Sequence, residues 1–129
     1  MKRLALFLVS VLLLAGCTKP DPDPIVGMWK IASCIKMFPN GDTFNLTIGS
    51  SPVNSFIFKE DGTGYKNGDI YLEWRREDKT FLYTTDFKVG ITYKYEIMAL
   101  SEQLLKIYWW DSPHDVEWVL TFMPWDVPR

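Results

Sequence analysis

An all-β fold, an antiparallel up-and-down barrel of about eight to nine strands, is what this sequence predicts, and three observations predict it. From residue 25 almost to the end, apolar residues recur with period two, the spacing that turns one face of a strand toward a core. Turn-forming pairs such as Asn40-Gly41, Asp61-Gly62 and Asn67-Gly68 punctuate these segments at the short intervals that hairpins require. No segment after the N-terminal apolar run sustains helical spacing, and Val, Ile, Thr and aromatic residues, which favour strands, fill the apolar positions.

The N-terminus stands apart from this pattern. Lys2 and Arg3 precede a run at residues 4–14 that is apolar except for Ser10, and small residues Ala15 and Gly16 then lead to Cys17. The run is too short to span a bilayer, which needs ~20 apolar residues, and it has the layout of a secretory signal. Leu14-Ala15-Gly16-Cys17 resembles the lipobox of bacterial lipoproteins. The resemblance implies cleavage before Cys17, a diacylglycerol thioether on that cysteine and often an amide-linked chain. At ~0.8 kcal/mol per buried methylene, two or three chains hold a protein stably on a membrane without spanning it. The expected organisation is a signal peptide at 1–16, a lipidated cysteine with a Pro/Asp tether at 17–24, and one barrel domain at 25–129. Proline alternates through 20–24, which favours a semi-rigid extended spacer at ~3.1 Å per residue. Asp21 and Asp23 resemble the acidic stretch that sends some lipoproteins to the cell surface, and they equally fit a plain solvated tether. The expected location is the cell envelope, at the outer membrane, with the periplasmic and the surface-exposed face both open.

Composition narrows the function classes. The formal charge is −2, and loss of Lys2 and Arg3 with the signal would take it to −4. Without the signal, Arg75-Arg76 is the only basic cluster, so no nucleic-acid partner is expected. With Cys17 modified, Cys34 is the only other thiol, and stability must come from packing alone.

Taken in order, Trp29, Ile31, Ser33, Ile35 and Met37 form the inward face of the first strand, which leaves Cys34 outward, as a small residue under a neighbouring loop. Pro39-Asn40-Gly41-Asp42 turns the chain, and Phe44, Leu46 and Ile48 follow. Phe56 and Phe58 point inward before Asp61-Gly62-Thr63-Gly64; Ile70, Leu72 and Trp74 make the next face, and Phe81 and Tyr83 the one after. Ile91, Tyr93, Tyr95 and Ile97 alternate with polar residues, then Leu105, Ile107 and Trp109, and last Val116, Trp118, Leu120 and Phe122.

Gly27-Met28-Trp29, opening the first strand, resembles the Gly-x-Trp signature of lipocalins, in which the tryptophan closes one end of an eight-stranded barrel. Residues 56–64 and 95–105 look like the hairpins of short lipocalin-like bacterial lipoproteins. The resemblance implies barrel-closing roles for Gly27 and Trp29 and, as activity, the binding of small apolar molecules. Arg129 would be the arginine that packs on the tryptophan. A counterpart of the later Thr-Asp-Tyr motif and a C-terminal helix are missing.

The inward set carries twelve aromatic rings, bulk that fits a filled barrel or a narrow cup. Hydroxyls of Ser33, Tyr83, Tyr93 and Tyr95 on that face need partners, and an apolar cup with a few polar groups is how ligand sites are built. Ser33, Trp74, Tyr83, Tyr93, Tyr95 and Trp118 are therefore the candidate ligand-binding residues. Tyr108 and Trp110, on the opposite face from Trp109, are candidates for a protein or glycan surface. His114, in Asp111-Ser112-Pro113-His114-Asp115, is the only histidine and reads as part of a solvated turn. One histidine without a spare cysteine makes no strong zinc site. Neither an enzyme, a metal nor a cofactor is expected. The leading expectation is an anchored protein that binds a small apolar or amphipathic ligand; the alternative is an interaction module, an envelope-complex accessory or a protease inhibitor, with a filled barrel.

Overall fold

The computed structural model describes residues 23–125. The lipobox with Cys17, the tether as far as residue 22, and Arg129 lie outside the described residues. Nine strands follow one another: β1 (Gly27–Met37), β2 (Thr43–Leu46), β3 (Ser55–Phe58), β4 (Thr63–Lys66), β5 (Ile70–Glu77), β6 (Phe81–Asp86), β7 (Ile91–Leu100), β8 (Leu105–Asp111) and β9 (Val116–Pro124). All pairings are antiparallel. The sheet runs β2-β1-β3-β4-β5-β6-β7-β8-β9 and closes through β1–β9, an eight-stranded barrel with β2 as an extra strand. No α-helix occurs among the described residues; a short 3-10 turn at Ile48–Ser50 is the only helical element there.

Strand β1 shares one edge between two partners. Its start pairs with β3 (Gly27↔Phe58 to Lys30↔Ser55), its end with β2 (Cys34↔Leu46 to Met37↔Thr43). The connection 47–54 fills the gap between them. Ser51 and Val53 are buried there, Asn54 O accepts from Ile31 N at 2.8 Å, and Asn67 Oδ1 accepts from Asn54 N at 2.6 Å.

The two ends of the barrel differ. The end where β1 begins and β9 stops is sealed. Trp29 is buried there and donates its indole N–H to Ile25 O at 2.8 Å, while Trp125 N reaches Met28 O. Asp23 belongs to this closure. Its Oδ1 accepts from Ile25 N at 3.0 Å and from Arg76 Nη1 at 2.6 Å, so the last residues of the expected tether are docked on the barrel. Phe56, Phe58, Leu72, Leu82, Tyr95, Leu105, Ile107, Leu120 and Phe122, none more than 1% exposed, fill the interior above. Close packing of this kind leaves the interior full; a recess of about 560 Å³ lies outside it against Asp23, Arg76 and Leu100 at the sealed end, and the other end, where β1, β4, β6 and β8 finish, is open.

Two phases differ from the sequence reading. The β1–β9 register slips between Ile31 and Ser33, the mark of a bulge. Beyond it the parity inverts: Cys34 pairs with inward Leu120 and is 2% exposed, whereas Ser33 sits on the outer wall opposite Thr121. In β6 the inward residues are Leu82, Thr84 and Asp86, which places Phe81 and Tyr83 outside. The 78–80 turn, with Asp78 at φ 53°, sets Phe81 opposite outward Glu77. Cations then cover these half-buried outer rings, Arg75 over Tyr83 at 4.0 Å and Lys94 over Phe81 at 4.1 Å. Phe44 is 50% exposed because β2 pairs with the far end of β1, at the rim.

Candidate functional site

At the open end, β7, β8 and β9 each bring an inward aromatic side chain to the mouth: Tyr93, Trp109 and Trp118, all half-buried. Trp109 stacks on Trp118 (6.3 Å, 20°) and meets Tyr93 edge-on at 5.6 Å. Tyr95 lies one pair deeper, against Tyr93 and Phe56, so the rings continue from the mouth into the core. Beside them opens a recess of about 470 Å³ lined by Lys36, Phe38, Asp111, His114, Val116 and Trp118. Lys36 and Trp118 are cross-strand partners, and Lys36 Nζ lies 5.2 Å from the Trp118 ring and 4.8 Å from Phe38. Asp111 faces His114, with Oδ2 at 2.9 Å from Nδ1.

On the other side of the mouth sits an ion pair that the sequence reading missed. Lys66 ends β4, Asp86 ends β6, and both point inward across β5. Lys66 Nζ donates to Asp86 Oδ2 at 2.6 Å, with side chains 8% and 7% exposed. The ammonium lies 4.5 Å from the Tyr93 ring centroid. Asp86 Oδ1 has no partner among the described residues. Polar groups this deep need hydrogen bonds, so this side of the mouth is built to meet a polar guest or water. Burial raises the Tyr93 phenol above its ordinary pKa, and Asp86 and Asp111 push it the same way. Burial alone does most of the same for Tyr95. Both phenols are therefore neutral hydrogen-bonding groups at neutral pH, and neither is a base. Burial likewise raises the Cys34 thiol, which disfavours the thiolate needed for reactivity.

Of the six residues expected to bind a ligand, the structure brings Tyr93 and Trp118 to the mouth with Tyr95 beneath them. Trp74 points inward toward the sealed end, where it packs on Phe58 and donates to Lys59 O and Thr63 O. Ser33 and Tyr83 lie on the outer wall and do not join the site. Strand parity could have revealed Lys66 and Asp86: Phe56 pairs with Lys66 and Leu72 with Asp86, so each charge shares the face of a core residue.

The chain matches no family model, no curated protein and no solved structure. What it does must come from its own geometry. Among the described residues, no three His, Cys, Asp or Glu side chains gather as a metal site, and no helix is long and apolar enough to cross a membrane. Tyr108 and Trp110 are on the outer wall. Tyr108 donates to Glu117 Oε1 at 2.5 Å, a bond that raises its phenol to about 12, and Trp110 is 55% exposed. With Phe81, Lys94 and Glu96 they line a shallow recess of about 270 Å³.

Proposed function

We propose that this is a lipid-anchored lipoprotein of the cell envelope, lipocalin-like, that binds a small apolar or amphipathic molecule at the mouth of its barrel without acting as an enzyme. The observation that carries the reading is the recess at the open end. Its size falls within the few hundred cubic ångströms of small-molecule sites, and half-buried Trp118 walls it beside a few placed polar groups. Because the interior below is filled, the guest lies across the mouth and is not swallowed by the barrel. Native mass spectrometry of the protein purified from its own envelope tests this. A reproducible extra mass released on denaturation, and diminished in Trp118→Ala, is the expected result; an unliganded mass together with unchanged affinity of Trp118→Ala for apolar dyes would overturn it. Anchoring is tested separately: labelled palmitate should enter the protein and not its Cys17→Ser variant.

The outer recess favours a second reading, an interaction module for an envelope protein or a glycan. The polar ends of Tyr108 and Trp110 are tied to Glu117 and Asp115, which holds the rings facing solvent. Under this reading Trp110→Ser abolishes capture of a partner and Trp118→Ala does not.

A further inference from the structure

We infer that the guest at the mouth is an anionic amphiphile, its negative group, a carboxylate, sulfonate or phosphate, held by Lys36; the inference rests on the ligand-binding reading above. Within the recess the Asp111 carboxylate is engaged by His114, Oδ2 to Nδ1 at 2.9 Å, and deeper in the mouth Lys66 is paired with Asp86. Lys36 lies in the same recess with no carboxylate within ion-pair distance among the described residues. Lys36 is half-buried, and its ammonium lies over the faces of Phe38 and Trp118, which screen an ion pair there less than open water does.

A cationic guest fits poorly. An aromatic cage for an ammonium group needs free ring faces. Here Lys36 already lies over Trp118 and Phe38, Lys66 lies over Tyr93, and Trp109 and Tyr95 stack on what remains. The rings hold both cations in place; Lys66 already has Asp86, and Lys36 is left to meet an anion. The apolar part of the guest has a path as well. Val116 and Phe38 wall the recess, and Phe44, half exposed, meets Phe38 edge-on at 5.4 Å, so apolar surface continues outward from Lys36.

Two dyes sharing one ring system separate charge from hydrophobicity: 8-anilino-1-naphthalenesulfonate and its neutral counterpart N-phenyl-1-naphthylamine. Each is titrated against the full chain carrying Cys17→Ser, so that no acyl chain competes, with tryptophan quenching as readout. The sulfonate should bind about tenfold tighter than the neutral dye, the scale of one charge-assisted contact. Lys36→Gln should bring the two affinities to near equality while the neutral dye binds as before, and Lys36→Arg should keep the preference. Lys88→Gln, which removes the same charge from the exposed turn between β6 and β7, should change nothing. Equal affinities in the parent chain, or an unchanged ratio in Lys36→Gln with native near-UV circular dichroism, would overturn the anionic assignment and leave the mouth as a site for neutral guests. Failure of both dyes to bind would overturn the assignment and the ligand-binding reading together.

Discussion

Gly64 shows how little slack the barrel wall has. A Cβ at this position would lie 1.9 Å from the backbone oxygen of Ile57, and a backbone atom cannot swing aside as a side-chain end can. Gly64→Ala should destabilise the protein by about 3 kcal/mol, the upper range for overpacking, read as a lowered urea midpoint with unchanged slope. The Lys66–Asp86 pair makes an opposite demand. Asp86→Asn strands a buried ammonium and should cost about 3 to 5 kcal/mol, while Lys66→Met with Asp86→Leu should recover most of it. A double mutant as unstable as the single one would show that the pair is not the source of the loss. Tyr108 has a raised folded-state pKa, so its contribution is complete below the ordinary value near 10 and disappears as pH climbs toward about 12. Thermal denaturation across that window should show a shallower decline in Tyr108→Phe. At this scale the sequence was legible at many apolar positions: Trp29, Phe56, Trp109 and Phe122 all face the core, whereas Ile35, Met37 and Phe81, which stand in equally apolar series, face outward. It was illegible where hydrophobicity and parity disagreed. Phe81 and Tyr83 look inward because they are aromatic, and charged Asp86 draws no attention at all; in each case the pairing register decides.

Among the elements, β1 carries the greatest burden and the least regular alternation. One bulged residue, between Ile31 and Ser33, lets the same strand present Trp29 to the sealed end and Cys34 and Lys36 to the interior and mouth. Strict alternation would have put both of these outside and Ser33 inside, which is why neither the buried thiol nor the rim lysine could be read from spacing. Deleting Ala32 should remove the bulge and leave Cys34 opposite Leu120, still inside. In a Cys17→Ser background, a thiol reagent should therefore modify Cys34 only on unfolding, with or without Ala32; prompt labelling of the deletion variant would overturn this account of the bulge. Strand β2 is the weakest element by the same measures. It pairs only with β1, three of its four residues are exposed, and its outer edge is bare. Its outward-pointing amides should exchange with solvent long before those of β1.

For the molecule as a whole, polarity between its two ends is the governing feature. The described chain enters at the sealed end, where Asp23 is clamped by Arg76, and its last described residue, Trp125, lies against Met28 at that same end. An anchor attached upstream of Asp23 would therefore hold the barrel with its sealed end toward the lipid and its mouth toward the aqueous side. Barrel architecture and strand number were visible in the period-two pattern. This end-to-end asymmetry was not, because it depends on which strand ends converge in space.

The seam between β1 and β9 has a consequence of another kind, in the order of events. The strands that close the barrel are the first and the last to be made, so the contact that completes the fold joins the most distant parts of the chain, an arrangement that slows folding. A circular permutant linking residue 125 to residue 25, with new ends in the 78–80 turn, would make that seam a local hairpin and should refold faster to the same native spectrum. For a chain threaded N-terminus first through a translocation pore, the waiting period is forced. Until residues 116–124 have passed, β1 stands with an unpaired edge and an uncovered apolar face, so the half-delivered chain is the form most in need of a chaperone on the far side.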